Sequence, residues 1–333
     1  MAFENDGKSN KKRAVIWIVI ILLILAVGGI GAYAIKRNKQ NKEQQSKYDK
    51  MKEDAFVKNV TPTQAVTSTP VVKPTEAPSP APTGEIIPDP TETPATPTPE
   101  PTAVPLSPEE LLYRALMEEY PSYITITADF NVLHNINKDI IAYIEIPDSD
   151  IAYPILQSGP DKADDYYLKH NLDGSEGYPS CIYIQKANSN TLDDKFTVVY
   201  GHNMKNGTMF GSLKNFKNED FRLSHPYFFV YTEDRILVYE VCVVSNIETT
   251  HLLADDYKKI DGKLRFDRFS GRETSRMLER VNNEGKDEAY IAQPAPANED
   301  TVMVLSTCGD GRRYIVAGKR VLEISFGSDD TTE

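Results

Sequence analysis

Cysteine is scarce in this chain of 333 residues: Cys181, Cys242 and Cys308 are the full set. An odd, sparse set does not make a disulfide framework, and without a Cys-x-x-Cys pair no zinc site is expected. An excess of positive charge is also missing. Lys and Arg number 37 against 49 Asp and Glu, for a formal net charge of -12. Phosphate binding needs a basic face, so this balance argues against a nucleic-acid partner. The charge is unevenly spread, since residues 1–58 carry twelve Lys/Arg and six acids. The remainder is strongly acidic, which favours solubility but names no substrate. Core-forming composition is lacking over roughly the first hundred residues. The rest of the chain is long enough for one well-packed domain.

Residues 14–35, AVIWIVIILLILAVGGIGAYAI, carry no charge. At about 1.5 Å per residue such a helix spans the ~30 Å of a hydrocarbon core. Lys11, Lys12 and Arg13 precede it, and Lys36, Arg37 and Lys39 follow. With basic flanks on both sides, the short N-terminal tail and large C-terminal remainder favour N-in, C-out. Ala32-Tyr33-Ala34 resembles a signal-peptidase site, but the run exceeds the usual signal-peptide core of about 7–15 residues. The expectation is a cytoplasmic tail over 1–13, an uncleaved anchor over 14–35 that contacts membrane lipid, and an extracellular remainder. Residues 36–58 are charged and lack a clear apolar stripe. Residues 59–106 are dominated by Pro, Thr, Ala and Val. Such a tract has little apolar area to offset ordering entropy and favours extended polyproline II. Residues 36–106 are therefore expected to form a disordered stalk, whose Pro/Thr part would reach on the order of 150 Å if fully extended.

The folded domain is expected over 107–327. Ser107-Pro108-Glu109-Glu110 has the form of a capping box with proline at the first helical position, and predicts a helix to about Glu119. A second helix is predicted over Ala128–Ile136. Short β-type runs follow at Ile140–Ile146, Ile151–Leu156, Ser180–Ile184, Phe196–Tyr200, Tyr227–Tyr231, Arg235–Ser245, Thr301–Ser306 and Tyr314–Val321. A further helix is predicted over Arg268–Val281. About eight strands with few helices fit a mainly β barrel or a sandwich, and the period does not choose between them.

Three segments carry chemistry. In TVVYGHNMKNGTMFGSL (197–213) an apolar strand ends at Gly201 and presents His202. In TVMVLSTCGDG (301–311) a second apolar strand runs out into Ser306, Thr307 and Cys308, between polar and glycine flanks. In RRYIVAGKRV (312–321) Arg312 and Arg313 open the next strand, and the residues alone do not choose between them. A thiolate is the nucleophile needed for attack on a carbonyl. An imidazole stabilises it and then protonates a leaving amine. An arginine stays charged and offers a fixed donor pair to an oxyanion. Cys181 and Cys242 sit in apolar runs and are expected to be inert core residues. His134, His170, His225 and His251 lie in polar, mixed or loop contexts and are expected to be solvated or structural. Asp310 is expected to be a turn residue of Asp-Gly.

The YGHNM and LSTC segments, with an arginine opening RYIVAGK, resemble the catalytic signature of the sortases. The pattern over about residues 130–322 is similar to class B, through INKDIIAYIEIPDSDIAYPILQS, DDYYLKHNLDG, GTMFGSL and a helix before the cysteine strand. The resemblance implies an eight-stranded sortase-type barrel with N-terminal helices and one inserted helix. It implies His202, Cys308 and Arg313 as the catalytic trio, Arg313 being the residue before Tyr314. It places Leu168 and Ser306 at substrate-groove positions, with Thr307 beside them, and requires no metal or other cofactor of the trio. The reaction it implies is transpeptidation. A secreted protein bearing a C-terminal sorting motif is cleaved at a threonine, and the acyl group passes to an amine of a peptidoglycan precursor or a pilin. The Cys308–Arg313 connection is shorter than in many class B members, and SCIYIQKANS lacks an acidic residue common there. Both bear on substrate preference. Two other readings of the residues are an extracellular cysteine peptidase and a stalked adhesin or binding module with an inert Cys308. A peptidase of the NlpC/P60 type would need Cys before His in chain order, and here His202 comes first.

Overall fold

The computed structural model describes residues 6–58, 106–248, 252–253, 257–260, 263–266, 271–285, 289–309 and 311–326. The chain opens with one long helix, α1 (Asp6–Ala55), followed by β1 (Phe56–Lys58). After residues 59–105, which lie outside the described residues, come α2 (Pro108–Glu119), α3 (Pro121–Ile124), β2 (Ile126–Ala128) and α4 (Phe130–Ile136). The Ser107 hydroxyl accepts from the Glu110 amide at 3.1 Å with Pro108 at the first helical position. This is the cap that Ser-Pro-Glu-Glu predicts. Asp129 caps α4 in the same way, accepting from Asn131 and Val132.

The next strands in the chain are β3 (Ile140–Glu145), β4 (Ala152–Gln157), β5 (Ile182–Ile184), β6 (Phe196–Tyr200), β7 (Tyr227–Tyr231) and β8 (Arg235–Ile247). A short helix α5 (Glu219–Ser224) precedes β7. A hairpin of β9 (Tyr257–Ile260) and β10 (Lys263–Phe266), the amphipathic helix α6 (Glu273–Glu284) and β11 (Tyr290–Ile291) lead to β12 (Val302–Gly309) and β13 (Arg312–Ser325). The main sheet runs β11-β8-β13-β12-β6-β5-β4-β3-β7, and β7 pairs back onto β8. Eight of its strands thus close a barrel, and β11 is a short addition beside β8. The barrel arises because each strand carries a run of buried apolar residues. In β6 every residue is buried, and in β8 all but three of thirteen are. The barrel therefore settles the choice that alternation left open. The predicted helix over Arg268–Val281 is α6, shifted to Glu273–Glu284, and residues 267–270 lie outside the described residues.

The expected start of the domain at Ser107 is corrected. Residues 44–58, expected within the stalk, are packed into the core. Tyr48, Met51 and Ala55 are buried in the same cluster as the barrel interior. The Tyr48 hydroxyl donates to the Ser180 carbonyl at 2.9 Å, and its ring meets Tyr153 edge-on at 5.2 Å. Phe56 packs edge-on against Tyr143 and Tyr231. The Asp129 amide donates to the Ala55 carbonyl, and β1 pairs antiparallel with β2. Lys52 pairs with Glu145, whose carboxyl is pushed up by burial and partly restored by that lysine. The buried side of α1 runs through Gln44, Tyr48, Met51 and Ala55, with partly buried Arg37 and Asn41 continuing it toward the N-terminus. These positions recur every three or four residues, as one helix face must. Three of the six are polar, so the face does not read as apolar. Among the described residues no helix is long and apolar enough to cross a membrane. In α1 the side chains at 17, 18, 22, 23 and from 27 onward are described.

Candidate active site

The site forms because β6 and β12 run parallel, their pairing closing at Tyr200 and Ser306 where β6 ends. Their register places Ser306 opposite Tyr200, and the Gly201 amide donates to the Ser306 carbonyl at 3.1 Å. The Thr307 hydroxyl donates to the Gly201 carbonyl at 2.8 Å. Two residues further along both chains lie His202 and Cys308, brought to one edge of the barrel. Gly201 is needed for this junction. A Cβ there would sit 2.4 Å from Ile182 Cδ1 and 2.6 Å from Phe210 Cδ2, closer than side-chain carbons approach.

Arg313 arrives from the other direction. In the β12–β13 hairpin Cys308 pairs with Arg313 and Gly309 with Arg312. Asp310, outside the described residues, and Gly311 make the connection. Gly311 has φ +77, the left-handed conformation that a two-residue hairpin of Asp-Gly type requires. Successive strand residues face opposite sides, so the two arginines part company. Arg312 Nη2 donates to the carbonyls of Asn246 and Glu284, on the α6 side. Arg313 Nη1 donates to Cys308 Sγ at 3.5 Å, and its Cζ lies 5.9 Å from the Tyr200 ring centroid.

His202 is partly buried. Its Nε2 lies 2.8 Å from the Leu168 carbonyl. A carbonyl only accepts, so Nε2 carries the proton and Nδ1 is the bare nitrogen of the neutral ring. Burial, with the charges of Arg37 and Arg313, holds the imidazole below its usual range, and the bond to Leu168 opposes this. The neutral ring is favoured at pH 7 because burial penalises charge and two cations repel a third. Asn203 Nδ2 donates to the Cys308 carbonyl at 2.6 Å and fixes the strand end that carries the thiol.

Cys308 is exposed, whereas Cys181 and Cys242 are buried. Burial pushes both buried thiols up to about 12, so neither supplies a thiolate at neutral pH. Leu168 is 38% exposed and stands beside His202 through its carbonyl. Ser306 and Thr307 are buried at 2% and 1%, and the Thr307 hydroxyl is engaged with Gly201. Both hold strand ends together in this structure and do not face an open groove. His134, His170 and His225 each bond a backbone carbonyl, while His251 lies outside the described residues. Among the described residues no cluster of three His, Cys, Asp or Glu side chains is placed to hold a metal ion. Two neighbours of the site carried no assignment from sequence. Asn203 stands in the GHNM run without any sign of its partner. Tyr178, whose ring centroid is 5.1 Å from that of His202, lies far from it in the chain.

A closed barrel with a thiol, an imidazole and a guanidinium at one strand edge is the architecture of a cysteine acyl-transfer enzyme. The chain belongs to the sortase family: residues 144–321 match the sortase domain. It is similar to Sortase B of Listeria monocytogenes, with 32% identity over 194 residues, covering 57% of this chain and 72% of that protein. Sortase B of Staphylococcus aureus is 24% identical over 214 residues, covering 64% and 79%. Among solved structures, Sortase B from Listeria monocytogenes matches with 30% identity and a TM-score of 0.45, covering 56% of this chain and 97% of that one. The chain is thus a class B-like sortase, a cysteine transpeptidase.

Proposed function

We propose that this chain is a membrane-anchored transpeptidase that cleaves secreted proteins at a threonine within a C-terminal sorting motif and transfers them to an amine. Cys308 is the nucleophile, His202 the proton carrier and Arg313 the oxyanion donor. The observation that carries the trio is the 3.5 Å contact from Arg313 to the exposed Cys308 sulfur, at the strand edge His202 shares. The Cys308 thiol gives its proton to the bare Nδ1 of His202 and its sulfur attacks the threonine carbonyl carbon, forming a C–S bond and an oxyanion that faces Arg313. Collapse breaks the C–N bond, and His202 passes the proton it took up on Nδ1 to the departing amine. The incoming amine then attacks the thioester and passes a proton to His202. The C–S bond breaks, and the departing sulfur takes that proton back from His202, restoring the thiol and the neutral ring. The acceptor is an amine of a peptidoglycan precursor or a pilin, and Leu168 lines the path to the thiol.

The anchor is residues 14–35, within α1. Trp17, Ile18, Leu22, Leu23, Val27 and Ile30 expose more than half of their surface. An uncharged stretch of this length is stable in lipid. The tail over 1–13 then lies inside and the barrel outside the cell. Incubating the enzyme with peptides taken from C-terminal tails of secreted proteins encoded nearby, with and without an amine, tests this reading. An amide-linked transfer product is expected. Free acid alone, whatever the amine supplied, would leave a hydrolytic cysteine peptidase.

A further inference from the structure

The face of α1 that packs on the barrel extends almost to the apolar run. Arg37, two residues past Ile35, lays its Cζ 4.3 Å from the Tyr178 ring centroid. That ring is 5.1 Å from the His202 ring. Two short contacts therefore link the end of the apolar run to the imidazole. Further along the helix, Lys47 pairs with Asp173 at 2.5 Å, Gln45 accepts from the Tyr153 hydroxyl at 3.2 Å, and Tyr48 and Met51 are buried. The helix is thus held from Arg37 to Ala55, about 27 Å at its usual rise.

Topology supplies an independent observation. Residues 59–105 leave from Lys58 and return at Leu106, and both flanks belong to one domain. On one side Phe56, Val57 and Lys58 pair with Ala128, Thr127 and Ile126. On the other, Leu116 of α2 is buried in the same core. The Pro/Thr-rich tract does not lie between the apolar run and the barrel, which are joined by unbroken helix.

We propose that α1 is a strut that holds the His202–Cys308 edge at the level of the lipid headgroups, and that residues 59–105 are an insertion in the catalytic domain, not a spacer beneath it. This rests on the reading of 14–35 as a membrane anchor. The side chains around the contact suit a headgroup layer. Tyr178 is 41% and Leu168 38% exposed, and Lys36, Arg37 and Lys39 follow the apolar run. Tyrosines and long cations with apolar stems favour that boundary. A site held there meets substrates that are themselves tethered to the bilayer, whereas a stalk would carry it on the order of 150 Å away.

The test uses the full chain in vesicles containing anionic lipid. A maleimide fluorophore is placed on exposed Cys308, the buried Cys181 and Cys242 being shielded. Lipids spin-labelled at the headgroup serve as quencher. At least a twofold loss of fluorescence is expected. The same loss is expected when residues 61–104 are replaced by a Gly/Ser linker of about 20 residues, whose r.m.s. span is about 25 Å. If the chain fails to sediment with vesicles, the anchor reading falls. If it sediments but the probe is unquenched, the strut is refuted. If quenching appears only after the replacement, residues 59–105 are a spacer and the insertion is refuted.

Discussion

Tyr48 offers the sharpest test of whether α1 belongs to the folded domain. Its side chain is 2% exposed, it packs edge-on against Tyr153, and its hydroxyl reaches the Ser180 carbonyl at 2.9 Å. Replacing a buried aromatic with alanine costs about 3–5 kcal/mol. Leaving the Ser180 carbonyl without its donor adds about 1–3 kcal/mol. For a domain of roughly 150–250 residues, each kcal/mol lowers Tm by about 2–4 °C, so a loss of about 4–8 kcal/mol places the Tyr48→Ala melt about 8–32 °C below the parent. Tyr48→Phe keeps the ring and isolates the hydrogen bond, with a drop of a few degrees. Circular dichroism melts of the detergent-solubilised full chain measure both. Cys181 gives an independent readout. The Tyr48 hydroxyl lies 3.6 Å from its sulfur, and burial holds its thiol up to about 12. Cys181 should resist alkylation in the parent and react in Tyr48→Ala. An unchanged Tm with Cys181 still protected would refute the packing of α1, and the domain would begin at Ser107 after all.

Other outcomes concern the site itself. Arg313→Lys keeps the charge but loses the paired donors, and should slow acyl-enzyme formation by about 10²–10³, the usual cost of an oxyanion donor. Arg312→Lys should instead keep its rate within a few-fold and lose a few degrees of Tm, since Arg312 bonds the Asn246 and Glu284 carbonyls; equal rate losses would overturn the assignment. Asn203→Ala frees the Cys308 carbonyl and should lower kcat about tenfold by loosening the thiol's position, with Tm nearly unchanged; parent-like kcat would remove Asn203 from the site. His202 should titrate below the usual 6.5, because burial and then Arg37 and Arg313 disfavour the imidazolium. With the Leu168 carbonyl and the Tyr178 ring beside it, removing one cation in Arg37→Gln should raise the midpoint, followed by NMR of the ring protons. A midpoint unmoved by that change would show that Arg37 does not stand beside the imidazole.

The barrel strands were legible because each is an apolar run closed by turn residues. Phe196–Tyr200 and Tyr227–Tyr231 have the same bounds in sequence and structure. His202 and Cys308 were legible because both follow such runs and precede polar, glycine-bearing segments. Arg312 and Arg313 were not separable from the residues alone, since adjacent strand positions differ only in the face they present. The register that sets Cys308 opposite Arg313 decides it. The packing of α1 was invisible for a different reason. Its inward face includes Arg37, Asn41 and Gln44, so an apolar stripe is interrupted where the helix meets polar partners such as Asp173. The pairing of β1 with β2 joins three residues on each side across seventy positions of sequence, too short and too distant to register as pattern. Ser306 and Thr307 stand next to the nucleophile yet are buried, because the parallel neighbour β6 covers them.

The central claim is that Cys308 forms the covalent link to substrate. Intact-protein mass spectrometry, followed by peptide mapping, after incubation with a threonine-containing sorting peptide tests it most directly. The account predicts one acyl adduct, on Cys308, together with release of the C-terminal tail, and no adduct or turnover in Cys308→Ala. An adduct on Cys181 or Cys242, or turnover surviving in Cys308→Ala, would contradict it.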